Sequence, residues 1–461
     1  MLKTGSTWLI MAMALASCGH GPQKREALPL AKSFSSQGGN SAPKANWWLA
    51  LGDRELSKKI TQALSQSYSL HATRQRLLQA KAESRAIEGS ALPSVSAELD
   101  GGYRRTLGTV PGFNVIGTTW SAGIAASYEI DLWGSIRSAK KGVEANIRAA
   151  RFDMDTAAIT LSAEVGIAWY RWVEASEQGR LRKTQTETTE QILAIVEARF
   201  SRGQVSGQDV FRQRQVVDAA KQAEVATLAS GLRWRNRLAA LLSVTPQSLV
   251  LPERATLPEL PELPELGTPV SIIQRRPDLQ AAYQRLVAAD ASAATALAER
   301  YPRLSLRASV NSSTRTISTL FQNWLLAVGG NLLVPLFDGG RLKARADSAS
   351  AAAQAAWFSY AQASLNAINE IEDSLATNAE AIAQVASLTK QVEYAERGLA
   401  IARAGYVSGQ ATYLQALDAL LTLQALERAL LESRRNAIEV RITLYRTVAG
   451  PLGQSARNDD K

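Results

Sequence analysis

The placing of proline constrains this 461-residue chain more than any other feature. Prolines stand at 22, 29, 43, 93 and 111, then nowhere until 246, cluster at 252, 258, 261, 264, 269 and 277, and return only at 302, 335 and 451. Inside a helix, proline removes a backbone donor and clashes with the preceding turn, so long helices must lie between these positions. Residues 112–245 and 336–450 are the two open intervals, and most of each is rich in Ala, Leu, Glu, Gln and Arg, which are strong helix formers. A helix from about Arg137 to Phe200 would be about 95 Å long at 1.5 Å per residue, far beyond a globular domain. Between the intervals, "LPERATLPELPELPELGTPV" reads as an extended linker, because proline recurs every three residues.

The segments flanking that linker resemble each other. "DLWGSIRSA" from Asp131 answers "FDGGRLKAR" from Phe337, and "FSRGQVSGQDV" from Phe200 answers "YVSGQATYLQA" from Tyr406, both at an offset of 206 residues. "LPSVSAEL" from Leu92 answers "YPRLSLRA" from Tyr301 at 209, so the chain is an internal duplication. Each half opens with period-two alternation. Val95, Ala97, Leu99, Gly101 and Tyr103 interleave with polar residues, as do Trp120, Ala122, Ile124, Ala126, Tyr128 and Ile130. In the second half Leu304, Leu306, Ala308 and Val310, then Trp324, Leu326, Val328, Leu332 and Val334, follow the same rule. The spacing predicts two hairpins and four strands, each near the ten or so residues a tilted strand needs to cross a bilayer. Four strands cannot close a barrel and open edges are not tolerated in lipid, so a spanning reading requires several chains to share one barrel. After the strands, each half carries a helix of about sixty residues. A glycine-containing turn follows, Gly203 to Gly207 or Gly405 to Gly409, and a second helix runs back beside the first.

The one cysteine, Cys18, ends a segment with Lys3, an apolar run from about Trp8 to Ala14, and small residues Ala16 and Ser17. That is the layout of a secretory signal, and the run is too short to span a bilayer. "LASC" looks like a bacterial lipoprotein box, with Cys18 receiving lipid and Gly19, not aspartate, next. The full chain carries a net charge of +10, and removing residues 1–17 takes away only Lys3, leaving +9. The positive charge is dispersed, without the basic block of a nucleic-acid groove, so nucleic acid is not an expected partner. With one cysteine and two histidines, a Cys/His metal site lacks ligands. There is no phosphate-binding glycine loop and no nucleophile with a recognisable base. The expectation is a protein that is not an enzyme, without cofactor.

Over nearly all of its length after Cys18 the chain resembles the outer-membrane lipoprotein channels of tripartite efflux pumps, the TolC-like family. The resemblance is carried, in order, by "NWWLALGDRELSKKI" at 46, "ALPSVSAELDGGY" at 91 and "YEIDLWGSIRSA" at 128. It continues with "RRPDLQAAYQRLVAADA" at 275, "YPRLSL" at 301 and "VPLFDGGRLKARADSA" at 334. It implies a homotrimeric membrane β-barrel joined to a long α-helical barrel. Each protomer would give four strands to a twelve-stranded barrel and long coiled-coil helices to the periplasm, with a mixed equatorial region. The implied partners are outer-membrane lipid, a periplasmic adaptor and an inner-membrane pump of the RND type. The implied activity is passive conduction of drugs or other small molecules to the exterior. A type I secretion exit duct and a periplasmic coiled-coil scaffold that never spans the membrane are the competing readings.

The expected organisation is a signal peptide at 1–17, a lipid-anchored extended segment at 18–55 and a first repeat at 56–250. The linker at 251–270, a second repeat at 271–450 and a tail at 451–461 complete it. In the family the gate lies where helices converge at the periplasmic tip. Carried over, the resemblance places Asp418 in a three-fold charge ring, with Gln415 at a position where the family has a second aspartate. Tyr406 and Asp209 fall at latch positions, and Ala411 stands where the family can have arginine. Gly203, Gly207, Gly405 and Gly409 mark the tips that would meet the adaptor.

Overall fold

A computed structural model describes residues 25, 31–35, 46–106, 115–263 and 265–450. Cys18, the Gly112 loop and the tail at 451–461 lie outside them. The first half runs α1 (Arg54–Gln66), α2 (Tyr68–Ser90), β1 (Ser94–Thr106), β2 (Val115–Ile130), α3 (Ser135–Phe200) and α4 (Gly207–Leu241). The second runs α5 (Pro269–Arg275), α6 (Pro277–Ala298), β3 (Arg303–Thr314), β4 (Leu325–Leu333), α7 (Arg341–Val407) and α8 (Tyr413–Val448). Element by element the halves correspond. The starts of α2 and α6 are 209 residues apart, and those of α3 and α7, and of α4 and α8, are 206 apart. The strand-to-helix bends repeat as well. Gly134 and Gly340 both adopt positive φ, 76° and 84°, where a side chain would be strained. Asp131 then accepts from the amides of Ile136 and Arg137, and Asp338 from those of Gly340 and Leu342, supplying helix N-termini with acceptors. This is the physical content of the "DLWG" and "FDGG" motifs.

The described residues form two compact units, and both cut across the repeats: each takes a segment from either half. The first contains residues 76–151 and 281–362 with Arg25. Its four strands form one antiparallel sheet in the order β1-β2-β3-β4. Cross-strand register aligns like with like. Leu99 pairs with Ala122, Ile124 with Ala97 and Val310, Tyr128 with Leu306, Ala308 with Val328, and Leu304 with Leu332 on one face. The other face carries Glu98, Asp100, Ser121, Ser127, Arg307, Asn311 and Asn331. Two glycines make room across the sheet. A Cβ on Gly101 would lie 2.6 Å from the Trp120 indole, and one on Gly123 would lie 2.1 Å from the Asn311 side-chain oxygen. Aromatics flank the apolar band. Tyr103 is exposed toward one end, as are Phe321 and Trp324, which lie 6.1 Å apart. At the other end Trp133 stacks on Tyr301 at 4.9 Å and Phe337 is fully exposed. Among the described residues no helix is long and apolar enough to cross a membrane.

The second unit contains residues 46–75, 152–280 and 363–450, with 31–35. Its core gathers Trp47, Leu56 and Ile60 against Val165, Trp169 and Tyr170 of α3, Leu238 of α4 and Ile442 of α8. The indole nitrogens of Trp47 and Trp169 are paired, as burial requires. Trp47 Nε1 donates to Ser162 Oγ at 3.0 Å, and Trp169 Nε1 donates at 2.8 Å to Asp53, whose other oxygen caps α1 through the Leu56 amide. The linker follows the same logic, because its prolines donate nothing and its carbonyls are served by side chains from elsewhere. Arg180 donates to Ala255 O at 3.4 Å, Tyr445 to Glu262 O at 3.2 Å, and Arg441 to Pro261 O.

Candidate functional site

The sequence expectations converge on the two turns that join α3 to α4 and α7 to α8, both in the second unit. Local chemistry determines their shape. Gly203 and Gly409, 206 residues apart, take φ of 69° and 77°. The Gly203 amide donates to Phe200 O and that of Gln204 to Arg199 O; Gly409 donates to Tyr406 O and Gln410 to Gly405 O. These paired bonds are the Schellman motif, which satisfies the last carbonyls of a helix by a left-handed residue. The return helices begin with matching capping boxes. Ser206 Oγ accepts from the Asp209 amide at 3.2 Å while Asp209 accepts from the Ser206 amide at 3.1 Å. Thr412 and Gln415 repeat the exchange at 3.3 and 2.7 Å.

Asp209 and Gln415 are thus occupied in holding the ends of their own helices. The other expected residues are placed as follows. Asp418 is exposed on α8, without an ion pair or side-chain hydrogen bond among the described residues. Tyr406 packs on the cluster of Val196, Val210, Tyr413 and Leu417. The Arg199 guanidinium lies 4.6 Å from its ring centroid, while its hydroxyl is buried without a partner. Gly203 and Gly409 sit in the turns and Gly207 opens α4, whereas Gly405 lies inside α7 and so differs from the expected turn residue. Its reason is proximity: a Cβ there would be 3.0 Å from that of Ala411.

Two residues at these ends escape the sequence reading. Gln213 of α4 is completely buried; its Nε2 donates to the Thr189 carbonyl of α3 at 2.7 Å and its Oε1 accepts from the Tyr413 hydroxyl of α8 at 2.5 Å. Burial and the nearby Asp209 carboxylate push the Tyr413 phenol up to about 12, so it stays a donor at neutral pH. The signal available was weak, since one glutamine and one tyrosine 200 residues apart share no motif. No group of three or more His, Cys, Asp or Glu side chains able to hold a metal ion occurs among the described residues.

Residues 60–244 and 268–450 match the model of the outer membrane efflux protein family. The pyoverdine export outer membrane protein OpmQ of Pseudomonas aeruginosa is 28% identical, with 95% of each chain covered. The cation efflux system protein CusC of Escherichia coli is 25% identical over 95% of this chain and 98% of its own. Among solved structures, the outer-membrane channel OprN superposes with a TM-score of 0.87 at 25% identity, covering 94% of this chain and 99% of that one.

Proposed function

This chain belongs to the outer membrane efflux protein family and serves efflux at the outer membrane, and from that premise we propose that it is the exit duct of a tripartite pump. Three copies join their sheets into a twelve-stranded barrel, and their helices extend into the periplasm to meet an adaptor and an inner-membrane pump of the RND type. Cys18 carries the lipid anchor. Substrates are small molecules selected by the pump. Relatives are named for pyoverdine export and for cation efflux, two unlike cargoes, which suits a duct that does not select. The duct does no bond chemistry of its own.

The observation that carries this reading is the two-faced sheet. From Val95 to Tyr103 the apolar side of β1 spans eight residue-to-residue steps, or about 26 Å at 3.3 Å per step. That matches the apolar band of about 25 Å, flanked by aromatic girdles, on outer-membrane barrels. The opposite face, with Glu98, Asp100, Arg307 and Asn331, is suited to a water-filled lumen. The gate is assigned to the hairpin ends, where Asp418, exposed on α8, would form a ring of three carboxylates, attracting cations and resisting anions.

The test uses the absence of any cysteine besides Cys18. A Gly112→Cys variant, carrying its new thiol between β1 and β2, is treated in intact cells with a membrane-impermeant maleimide. Labelling of intact cells is the expected result. Labelling only after lysis would put that loop in the periplasm and replace the duct with a non-spanning scaffold.

A further inference from the structure

We propose that Gln213 and Tyr413 form a clasp between the two halves of the duplication, positioning the hairpin ends in their closed arrangement. The inference deepens the gated-duct reading and rests on it. It starts from a broken symmetry. The turns match at an offset of 206 in their glycines, their carbonyl bonds and their capping boxes, yet the first residue of the return helix is Gly207 in one half and Tyr413 in the other. At Gly207 the Phe200 ring lies 3.7 Å from where a Cβ would be. At Tyr413 a full phenol leaves its own hairpin and enters the other, where its hydroxyl meets Gln213.

The amide is suited to this place. Gln213 spends its donor on the Thr189 carbonyl and its acceptor on Tyr413, so three helices from both repeats meet at one uncharged, dry side chain. Val196, Val210 and Leu417 pack with Tyr413. Parting α8 from the α3–α4 hairpin breaks the bond and wets this cluster, whereas sliding α3 along α4 does not supply Tyr413 with another partner. The charged groups nearby are Asp209 and Arg212 of α4, which act on the Tyr413 phenol from opposite directions, and Arg199 of α3, held over Tyr406. None of them pairs with Gln213.

A single isosteric change makes the clasp switchable. In Gln213→Glu, a protonated carboxyl reproduces the amide, its hydroxyl donating to Thr189 O and its carbonyl accepting from Tyr413. Ionised, it can still accept from Tyr413 but has no donor for the Thr189 carbonyl it faces, and the cost of keeping its charge dry favours parting the helices and wetting the cluster. Burial raises the carboxyl pKa, so the switch lies above the usual carboxylate range. Full-length wild type, Gln213→Glu and Tyr413→Phe are reconstituted in planar bilayers and basal conductance is recorded between about pH 5 and about pH 8. At the alkaline limit Gln213→Glu is expected to conduct on the order of tenfold more than wild type, converging on it in acid. Tyr413→Phe is expected to be raised at both limits, because phenylalanine has no proton to restore. A ratio of Gln213→Glu to wild type that is the same at both limits overturns the clasp, as does a Tyr413→Phe channel that behaves as wild type.

Hydrogen exchange on the same samples gives a readout that needs no current. Release should speed exchange in the first turns of α4 and α8 together, and loss of protection in one alone overturns the clasp. Absence of current at every pH from wild type and from both variants overturns the duct reading instead, while the exchange data still decide whether the two ends are clasped.

Discussion

Gly166, in the middle of α3, offers a test in which two physical effects oppose each other and one neighbour decides the sign. Glycine in a helix interior costs about 1 kcal/mol relative to alanine, so Gly166→Ala should stabilise α3 by that amount if space allowed. Space does not allow it: a Cβ would lie 3.0 Å from the outer edge of the Trp47 indole and 3.3 Å from Ile442 Cδ1. Trp47 cannot yield, because it is 1% exposed, bonded to Ser162 Oγ and stacked on Tyr445 with ring centroids 6.1 Å apart. Overpacking of this kind costs about 1–3 kcal/mol, which leaves Gly166→Ala neutral to destabilising by about 2 kcal/mol in the native background. Trp47→Phe removes the contacting edge. It loses about 1 kcal/mol with the hydrogen bond and more with the vacated volume. Ser162 remains satisfied through its own bond to Ile159 O. In that background Gly166→Ala fills space and gains helix propensity, so its effect should become favourable by up to about 1 kcal/mol. The measurement is urea unfolding of detergent-solubilised protein at fixed concentration, followed by circular dichroism for the four members of the cycle. The same Gly166→Ala effect in both backgrounds would show that the indole does not dictate this glycine.

Two further outcomes are expected. Asp418→Asn should lower the cation preference of reconstituted channels, read as a reversal potential moving toward zero across a potassium chloride gradient; an unchanged potential removes Asp418 from the conduction path. For Glu174, burial raises the carboxyl pKa, opposed by Arg435 and a hydrogen bond from Gln178, so its contribution is most favourable below the unfolded value of 4.5 and is lost as pH rises through the folded one. Glu174→Gln should therefore stabilise the protein at neutral pH and give no gain near pH 4.5, measured by unfolding at both. A gain that is equal at the two would contradict the sign.

Much of the fold is legible because it rests on periodicity. Proline-free runs gave the long helices, alternation gave the strand faces, and the repeat offset anticipates even the second set of caps. Asp209 and Gln415 show where resemblance and local chemistry speak differently. "SGQD" and "TYLQ" are capping-box sequences, and the bonds formed are the local ones. What the sequence hid depends on distance in the chain. Gly405 reads as a turn residue until Ala411 is seen against it, and nothing in the local pattern around Gln213 points to Tyr413. Nor does duplication reveal that the compact units would each draw on both repeats, since that follows from helices passing out of one unit and into the other.

The sheet ends at β1 on one side and β4 on the other, with neither strand paired beyond the four among the described residues. Each bare edge presents a row of amides and carbonyls that hydrocarbon cannot solvate, so a solitary chain gains nothing by entering the bilayer. If three chains close the barrel, insertion becomes a reaction of high order in protein concentration. Doubling expression would then raise the initial rate of channel formation by more than twofold, up to about eightfold where three chains must meet in the slow step. Diluting the chains below that meeting rate would leave monomers that have not crossed the bilayer.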